Sequence, residues 1–461
     1  MALVVGPWLE PSDPLEGLGP FNALGPVPEL LPPGQSLGRG AGTPVAIVVL
    51  QVLGLIACLG LGLMLLLLEL QLGRAPRLGP NPDPGPLQAS FLRLVIPVYN
   101  EESNISACLD AVLASQDPGL PWELVVADDG SSDATVGLVQ ERFQCEGPGQ
   151  AHGAHGANPS GAGPSRRLWE VGPRPEGERW CGKNWPASQA AALEWPAGDP
   201  SQQWLLFIDA DVRLEPAALV SVLQEVAAAK MEGPSLGHGG PPVDLLTLAP
   251  RLECGCLAEW LVQPIVASLL GLGFPLKRSN DPADATAFAA GPFMLFRRSA
   301  YEAIGGHRAV AGDVVEDLAL AGAIKASGHR LLYQLGVDLV RLRMYPDLAS
   351  LWEGWTKNWY LGVDRNPFKA IGSALVVVGG FSLPWVLLPL GLLDRSLGWI
   401  GLAAIGLQLA IRLWSRWRFG TPLRYWWLAW LGGLLIGAIV PASMWKTTTG
   451  QGWTWRGRSL A

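Results

Sequence analysis

The sequence predicts an α/β protein, a doubly wound sheet set between membrane-spanning helices. Between residues 90 and 350, short apolar runs alternate with amphipathic stretches, the pattern of strands joined through helices that cover both faces of a sheet. One long apolar run precedes that region and three follow it. The composition agrees, with 49% apolar and only 16% charged residues, against about 25% charged in soluble domains. Mean hydropathy is +0.25, which excludes a disordered, solvating chain.

Charge and cysteine usage narrow the class. A net charge of −7 argues against a nucleic-acid partner, which needs clustered Lys and Arg to neutralise phosphates. The 21 Trp outnumber the 11 Phe and 6 Tyr together, a bias suited to rings with a polar N–H at a bilayer interface. The six cysteines (Cys58, Cys108, Cys145, Cys181, Cys254 and Cys256) contain no C-x-x-C pair. They read as reduced thiols on the cytoplasmic side, with neither a disulfide framework nor a zinc site.

Taken in order, residues 1–43 are rich in Pro and Gly and are expected to be a mobile tail. Residues 44–70 are apolar apart from Gln51 and the terminal Glu69, long enough to span a bilayer as a helix. The run lies too far from Met1, and is too long, for an ordinary signal peptide. Arg74 and Arg77 follow it, which places the catalytic-sized region 90–350 on the cytoplasmic face of an integral membrane protein.

Within that region, 92–98, 123–127, 168–171, 204–208 and 244–249 read as strands, all expected to run parallel. Residues 103–115 (Ser103 as N-cap), 133–143, 185–195, 216–230 and 314–328 read as helices. Residues 146–165 are a low-complexity insertion carrying His152 and His155, whose ordering around a metal would oppose much chain entropy. The apolar stretch 256–276 is either part of an acceptor groove or a core helix. In 351–368, Trp352, Trp355 and Trp359 fall on one helical face, as in an interfacial helix. The membrane block 371–445 holds three apolar runs, Ile371 to Leu393, Leu397 to Leu413 and Trp427 to Met444. Three crossings would leave the basic tail 446–461 outside, against the charge rule, so a re-entrant or interfacial stretch is the alternative to a third span.

Carboxylates gather where strands stop. One strand ends in Asp128 and Asp129 and turns on Gly130; another ends in Asp209 and Asp211. An Asp-Gly turn and a polar strand end explain each in isolation. Two acidic strand ends in one sheet are more specific, because residues i and i+2 of a strand share a face. Asp209 and Asp211 would then hold one hard cation, Mg²⁺ or Mn²⁺, together with phosphate oxygens. No G-x-G-x-x-G follows a strand and no Walker motif occurs. Lys183, Arg341 and Arg343 are candidate cations beside a diphosphate. Glu316 and Asp317 open a helix, where acids favour the dipole and where one can serve as a general base.

VIPVYNEE (95–102), DDGSSDAT (128–135), GKNW (182–185), DADV (209–212), the GPFMLF to YEAIGG segment (291–306) and VED (315–317) resemble family 2 glycosyltransferases of the GT-A fold, a doubly wound, Rossmann-like mixed sheet. The flanks resemble the membrane-bound branch with carotenoid and hopanoid-associated transferases; ceramide glucosyltransferases are more distant. The resemblance implies that Pro97, Tyr99, Glu101, Asp128 and Asp129 hold the nucleoside, with Lys183 and Asp209 near the donor. It also implies that Asp209 and Asp211 bind the metal–diphosphate, and that Asp317, with Glu316 beside it, is the base of an inverting displacement. The chain departs from the family's Q-x-x-R-W acceptor motif. Its nearest segment is Trp355 to Trp359, with Lys357 and Asn358 in the Arg neighbourhood.

The function expected is transfer of a hexosyl unit from a nucleotide sugar to a hydroxyl of a membrane lipid or isoprenoid, carotenoid-type acceptor. Hopanoid or ceramide-type transfer and polysaccharide synthesis are the alternatives among enzymes. Outside enzymes, an inactive scaffold is opposed by the intact acids, and a transporter by the near absence of charge in the apolar runs.

Overall fold

Alternation of side chains along each strand divides the sheet's apolar residues between two cores. Leu94 and Ile96 enter one, Val95 the other. The structure is a computed structural model and describes residues 44–81, 87, 89–144, 163–231, 242–273, 276–450, 454–455 and 458–459. The expectations for 1–43, for His152 and His155, and for most of the tail lie outside the described residues.

After helix α1 (Val45–Leu72) come β1 (Phe91–Val98), α2 (Ile105–Leu113), β2 (Trp122–Asp128), α3 (Thr135–Gln144), β3 (Ser165–Glu170), α4 (Asn184–Ala191) and β4 (Gln203–Ile208). The chain continues through β5 (Val212–Leu214), α5 (Ala218–Met231), β6 (Val243–Ala249), β7 (Arg251–Leu252), α6 (Leu257–Gly273) and α7 (Leu276–Asn280). Then follow β8 (Phe293–Arg297), α8 (Arg298–Ala303), α9 (Gly306–Ala309), α10 (Glu316–Ala326), β9 (Arg330–Leu335), β10 (Val340–Leu342) and α11 (Leu348–Gly362). The expected N-cap Ser103 is displaced by Asn104, whose amide donates to Glu101 at 3.0 Å instead of capping α2.

The seven-stranded sheet has the order β3-β2-β1-β4-β8-β6-β9. It is mixed, because β8 runs antiparallel to both β4 and β6 while the other neighbours are parallel. This is the doubly wound mixed sheet implied by the resemblance, and it corrects the all-parallel reading drawn from alternation alone. Strand order reverses between β1 and β4, which opens a crevice at their carboxyl ends. The ladder to β4 ends at Val95, two residues before Pro97, which has no N–H to donate. A second sheet, β5-β10-β7, lies beside the first.

A buried ion pair ties the sheet to its helices. Arg93 of β1 is fully buried against Glu123 of β2. Its guanidinium also donates to the carbonyls of Ala191, Leu193 and Glu194 at the end of α4 and stacks over Trp195. Orphan carbonyls at a helix C-terminus favour a cation there.

The remaining helices are α12 (Pro367–Val377), continued by a π turn (Val378–Ser382) into α13 (Leu383–Leu390), then α14 (Arg395–Phe419) and α15 (Ala429–Thr448). Among the described residues, α1, Pro367–Leu390, α14 and Trp426–Thr448 are long and apolar enough to cross a membrane. The second and third C-terminal stretches are therefore longer than the sequence suggested. Within 256–276, Leu257–Gly273 forms α6, whose Ala258, Val262 and Ile265 are buried with α11 and α15 in one cluster, the core-helix alternative.

The path of α15 bears on the tail. Near its start Gly432 meets the Leu261 carbonyl of α6 so closely that a Cβ would sit 2.0 Å from it. Near its end Ser443 Oγ accepts from Tyr360 N of α11 at 3.0 Å. Both partners belong to segments inserted in, or directly continuing, the α/β body. This predicts that the chain beyond α15 lies on the same side of the membrane as that body. In a variant lacking the native cysteines, Ser459→Cys is expected to react with a membrane-impermeant maleimide with the same sidedness as Asp117→Cys. Opposite sidedness would show α15 to be a crossing.

Candidate active site

Two loops at the carboxyl ends of β1 and β2 are bonded into one unit. Asn100, at φ +52°, donates its N–H to Ser131 Oγ (2.9 Å) and accepts from Ser132 N (2.8 Å). Glu101 N donates to Thr135 Oγ1 (2.8 Å), and the Glu102 and Asp133 carboxylates exchange backbone bonds across the gap. Asp128 is buried and accepts from Gly130 N (3.0 Å) and Ser131 N (3.1 Å), an Asx turn that fixes the Asp-Gly corner. Pro97 and Glu101 are buried and Tyr99 is half-buried at this corner.

Asp129 points the other way. Its Oδ2 accepts from Arg174 Nη2 at 2.6 Å, and the same guanidinium donates to the carbonyls of Trp180 (2.6 Å) and Gly182 (3.0 Å). Arg174 thus joins the β2 corner to the loop that presents Lys183. No motif marked Arg174 in the sequence.

The G-K-N-W segment is a positioning device. Asn184, fully buried, donates to the carbonyls of Val310, Ala311 and Asp313, and Trp185 Nε1 donates to Gly172 O at 2.8 Å. These bonds fix the loops on either side of Lys183. Its ammonium sits on the Asp209 carboxylate and lies 3.1 Å from Glu316 Oε1. Burial opposes the charged amine, yet Asp209 and Glu316 outweigh it and hold the Lys183 pKa well above the usual lysine range.

Glu316 and Asp317 are consecutive at the start of α10 but titrate apart. For Glu316, burial favours the neutral form, but Lys183 prevails and holds the carboxyl below its usual range. Burial, then the neighbouring Glu316 charge, push Asp317 up to about 7. They do so although its oxygens accept from Gly291 N (3.0 Å) and Leu318 N (2.9 Å). Adjacent carboxyls with separated pKa values are the pattern of an acid–base site. Gly291 leaves room for this carboxylate: a Cβ there would lie 2.8 Å from Asp317 Oδ2.

Lys357 of α11 also faces this cluster. Burial, with Lys183 adding to it, lowers its pKa, while Glu316, Asp209 and Asp317 act in the opposite direction. The altered motif segment therefore does bring a cation to the acids, at the position before Asn358. His307, buried and set edge-on to Phe207 with ring centroids 4.5 Å apart, also feels Glu316 and Lys183. Burial holds it down to about 3, so it is neutral, and its Nδ1 shares a 2.8 Å hydrogen bond with Tyr301.

Three expectations are corrected. Asp209 and Asp211 do not share a strand face, because β4 ends at Ile208 and both lie on the turn before β5, closed by Val212 N donating to Asp209 O at 3.1 Å. The Arg341 and Arg343 side chains pair with Glu215 at 2.6 Å and Glu259 at 3.8 Å rather than with the cluster, although Arg343 N donates to Asp211 O at 3.3 Å. Trp355 and Trp359 are buried rather than presented to an acceptor. Their indole N–H groups donate to Gln263 (3.2 Å) and Ser373 (3.0 Å), which fastens α11 to α6 and α12.

Asp209, just past the end of β4, thus meets Glu316 and Asp317 at the start of α10, with Lys183 and Lys357 as the cations. Asp209 and Asp211 offer only oxygen donors, and Asp209 shares its one close ammonium, Lys183, with Glu316. Such a set fits a hard divalent ion completed by phosphate oxygens; among the described residues no group of three or more His, Cys, Asp or Glu forms a complete metal cage. Removing Lys183 leaves two acids without their counter-charge. Lys183→Met is expected to destabilise the protein by roughly 2 kcal/mol, less than a fully buried pair because the groups are partly solvated. Adding Glu316→Gln should recover part of that loss; a double-mutant cycle by thermal unfolding, showing no coupling, would refute the arrangement.

Comparison with known proteins places the geometry. Over 291 residues the chain is 24% identical to a 4,4'-diaponeurosporenoate glycosyltransferase of Staphylococcus aureus strain MRSA252, covering 63% of this chain and 66% of that protein. The strain USA300 protein of the same name is 24% identical over 288 residues, covering 62% and 65%. The chain therefore spans just under two thirds of the length of these curated relatives. Among solved structures, it is similar to the mannosyltransferase PcManGT from Pyrobaculum calidifontis in complex with GDP-Man and Mn2+, at 15% identity and TM-score 0.43, covering 87% of this chain and 99% of that one. It is also similar to a glucosyl-3-phosphoglycerate synthase of Mycobacterium tuberculosis, at 16% identity and TM-score 0.34, covering 60% and 82%. Residues 94–168, from β1 to β3, match the family described as Glycosyl transferase family 2.

Proposed function

We propose that the chain is an inverting glycosyltransferase, moving a hexosyl unit from a nucleotide-diphosphate sugar to a hydroxyl of a membrane isoprenoid of carotenoid type or a similar lipid. The reading is carried by the Glu316–Asp317 pair, in which one carboxyl is held anionic on Lys183 and its neighbour titrates near neutrality. In this reading the interlocked corner of Pro97, Tyr99, Glu101, Asp128 and Asp129 receives the nucleoside. Asp209 and Asp211 would hold a Mg²⁺ or Mn²⁺ ion. When bound, such an ion offsets charge on the departing diphosphate.

Asp317 accepts the proton of the acceptor hydroxyl as the new C–O bond forms at the anomeric carbon. The sugar–phosphate bond breaks on the opposite face, and its electron pair leaves with the diphosphate. Lys183 keeps Glu316 ionised, so that Asp317, not Glu316, is the group able to cycle its proton near pH 7. Lys357 supplies positive charge from the membrane-proximal side. With α1 read as a span, the body lies on the cytoplasmic face, where Arg74 and Arg77 follow it.

Mass spectrometry of lipid extracts from cells with and without the gene tests the activity. A glycosylated carotenoid or lipid is expected to disappear with the gene and to stay absent with Asp317→Asn; an unchanged profile overturns the proposal. In vitro, the base works only when deprotonated, so kcat/KM should rise with pH and level off above about 7. Asp317→Asn should abolish that limb together with the activity. Gly291→Ala, which crowds Asp317, is expected to lower kcat by about 100-fold with little change in donor KM. Equal loss of donor binding would place the effect elsewhere.

A further inference from the structure

Among the described residues, the half-buried guanidinium of Arg412 in α14 forms no ion pair. Arg412 of α14 lines a narrow cleft, with an interior of about 20 Å³, together with Trp260, Ser268, Gln408, Tyr425 and Trp426. Its Nη2 donates to the Pro422 carbonyl at 3.1 Å, but Nε and Nη1 are buried with no hydrogen-bond partner. The titratable group acting on it is the Cys254 thiol. Burial pushes that thiol up to about 12, so it stays neutral. Residues 395–430 contain an Asp or Glu at no position, and the ion pairs among the described residues do not include Arg412.

Nearby acceptors are already engaged. The π turn frees backbone carbonyls, and Gln408 Nε2 takes those of Gly380 (2.8 Å) and Phe381 (3.2 Å), while its Oε1 accepts from Trp385. Water entering the cleft would satisfy the N–H groups but leave the charge uncompensated beside Ile265, Phe381 and Ile411. A guanidinium does not escape by losing its proton. An anion from outside the chain is what the cleft lacks.

We propose that this cleft binds the phosphate of an anionic membrane lipid, its oxygens on Nε and Nη1 of Arg412. Three observations favour a lipid over a soluble anion. Arg412 belongs to a helix long and apolar enough to span a bilayer. The lining is largely apolar. Tyr425, Trp426 and Trp260 supply the aromatic groups that sit at headgroup level, with Arg424 packed over Tyr425 as further positive charge. None of these residues belongs to the carboxylate cluster.

The test uses the full chain, delipidated and placed in nanodiscs of phosphatidylcholine with or without phosphatidylglycerol. Native mass spectra of the wild type should show about fivefold preferential retention of phosphatidylglycerol, with a rise in the unfolding midpoint. Arg412→Gln should lose both, and Arg412→Lys should keep part of each. If Arg412→Gln does not fold, the wild-type lipid preference and the Arg412→Lys variant decide. Equal retention of the two lipids, or an undiminished preference in Arg412→Gln, overturns the proposal. An equal rise from inorganic phosphate in phosphatidylcholine discs assigns the site to a soluble anion and likewise overturns it.

Discussion

Everything at the crevice depends on the ammonium of Lys183 lying between Asp209 and Glu316. Carboxylates brought close together in a poorly solvated site repel one another, and without a counter-charge they protonate. The protein holds that counter-charge from both sides. Arg174 and Trp185 fix the loop before it, and Asn184 fixes the 310–313 segment behind it. Because the lysine reaches Glu316 rather than Asp317, two neighbours on one helical turn acquire different protonation behaviour. Their chemistry is set by which of them the ammonium touches, since both are acids at a helix start.

The second organising element is α11, which belongs to the α/β body and to the apolar helices at once. Steps of four put Trp355 and Trp359 on the face buried against α6, α12 and α15. Lys357, half a turn away from either, faces the acids. Displacing the apolar packing of α11 would therefore also displace charge at the crevice. Such a helix supplies a physical link between a membrane-embedded block and a charged site, which the proposed lipid acceptor requires.

Much of the architecture was legible because it is written in local periodicity. Runs such as 92–98 and 204–208 could bury themselves only as central strands, and the apolar run at 44–70 only as a long helix. The direction of β8 was not legible, since an apolar pentapeptide has the same pattern in either orientation. The Asp209–Asp211 reading failed for a related reason: period-two reasoning holds inside a strand, and β4 stops one residue too soon. The indoles of Trp355 and Trp359 read as an interfacial face, but the structure buries both in one apolar cluster.

By itself, the sequence determined β1, β2, β3, β4 and β6 of the main sheet, the apolar segments, and the acids placed at strand ends, because each of these is a property of neighbours along the chain; β8 and β9 were not read as strands. Only the tertiary structure decided which charges meet. Lys183 with Glu316, Arg174 with Asp129 and Lys357 with the acid cluster are separated by tens of residues or more, and nothing in local pattern distinguishes them from Arg341 or Arg343. Those choices are made by packing, through loop anchors and helix faces whose partners lie far away in sequence.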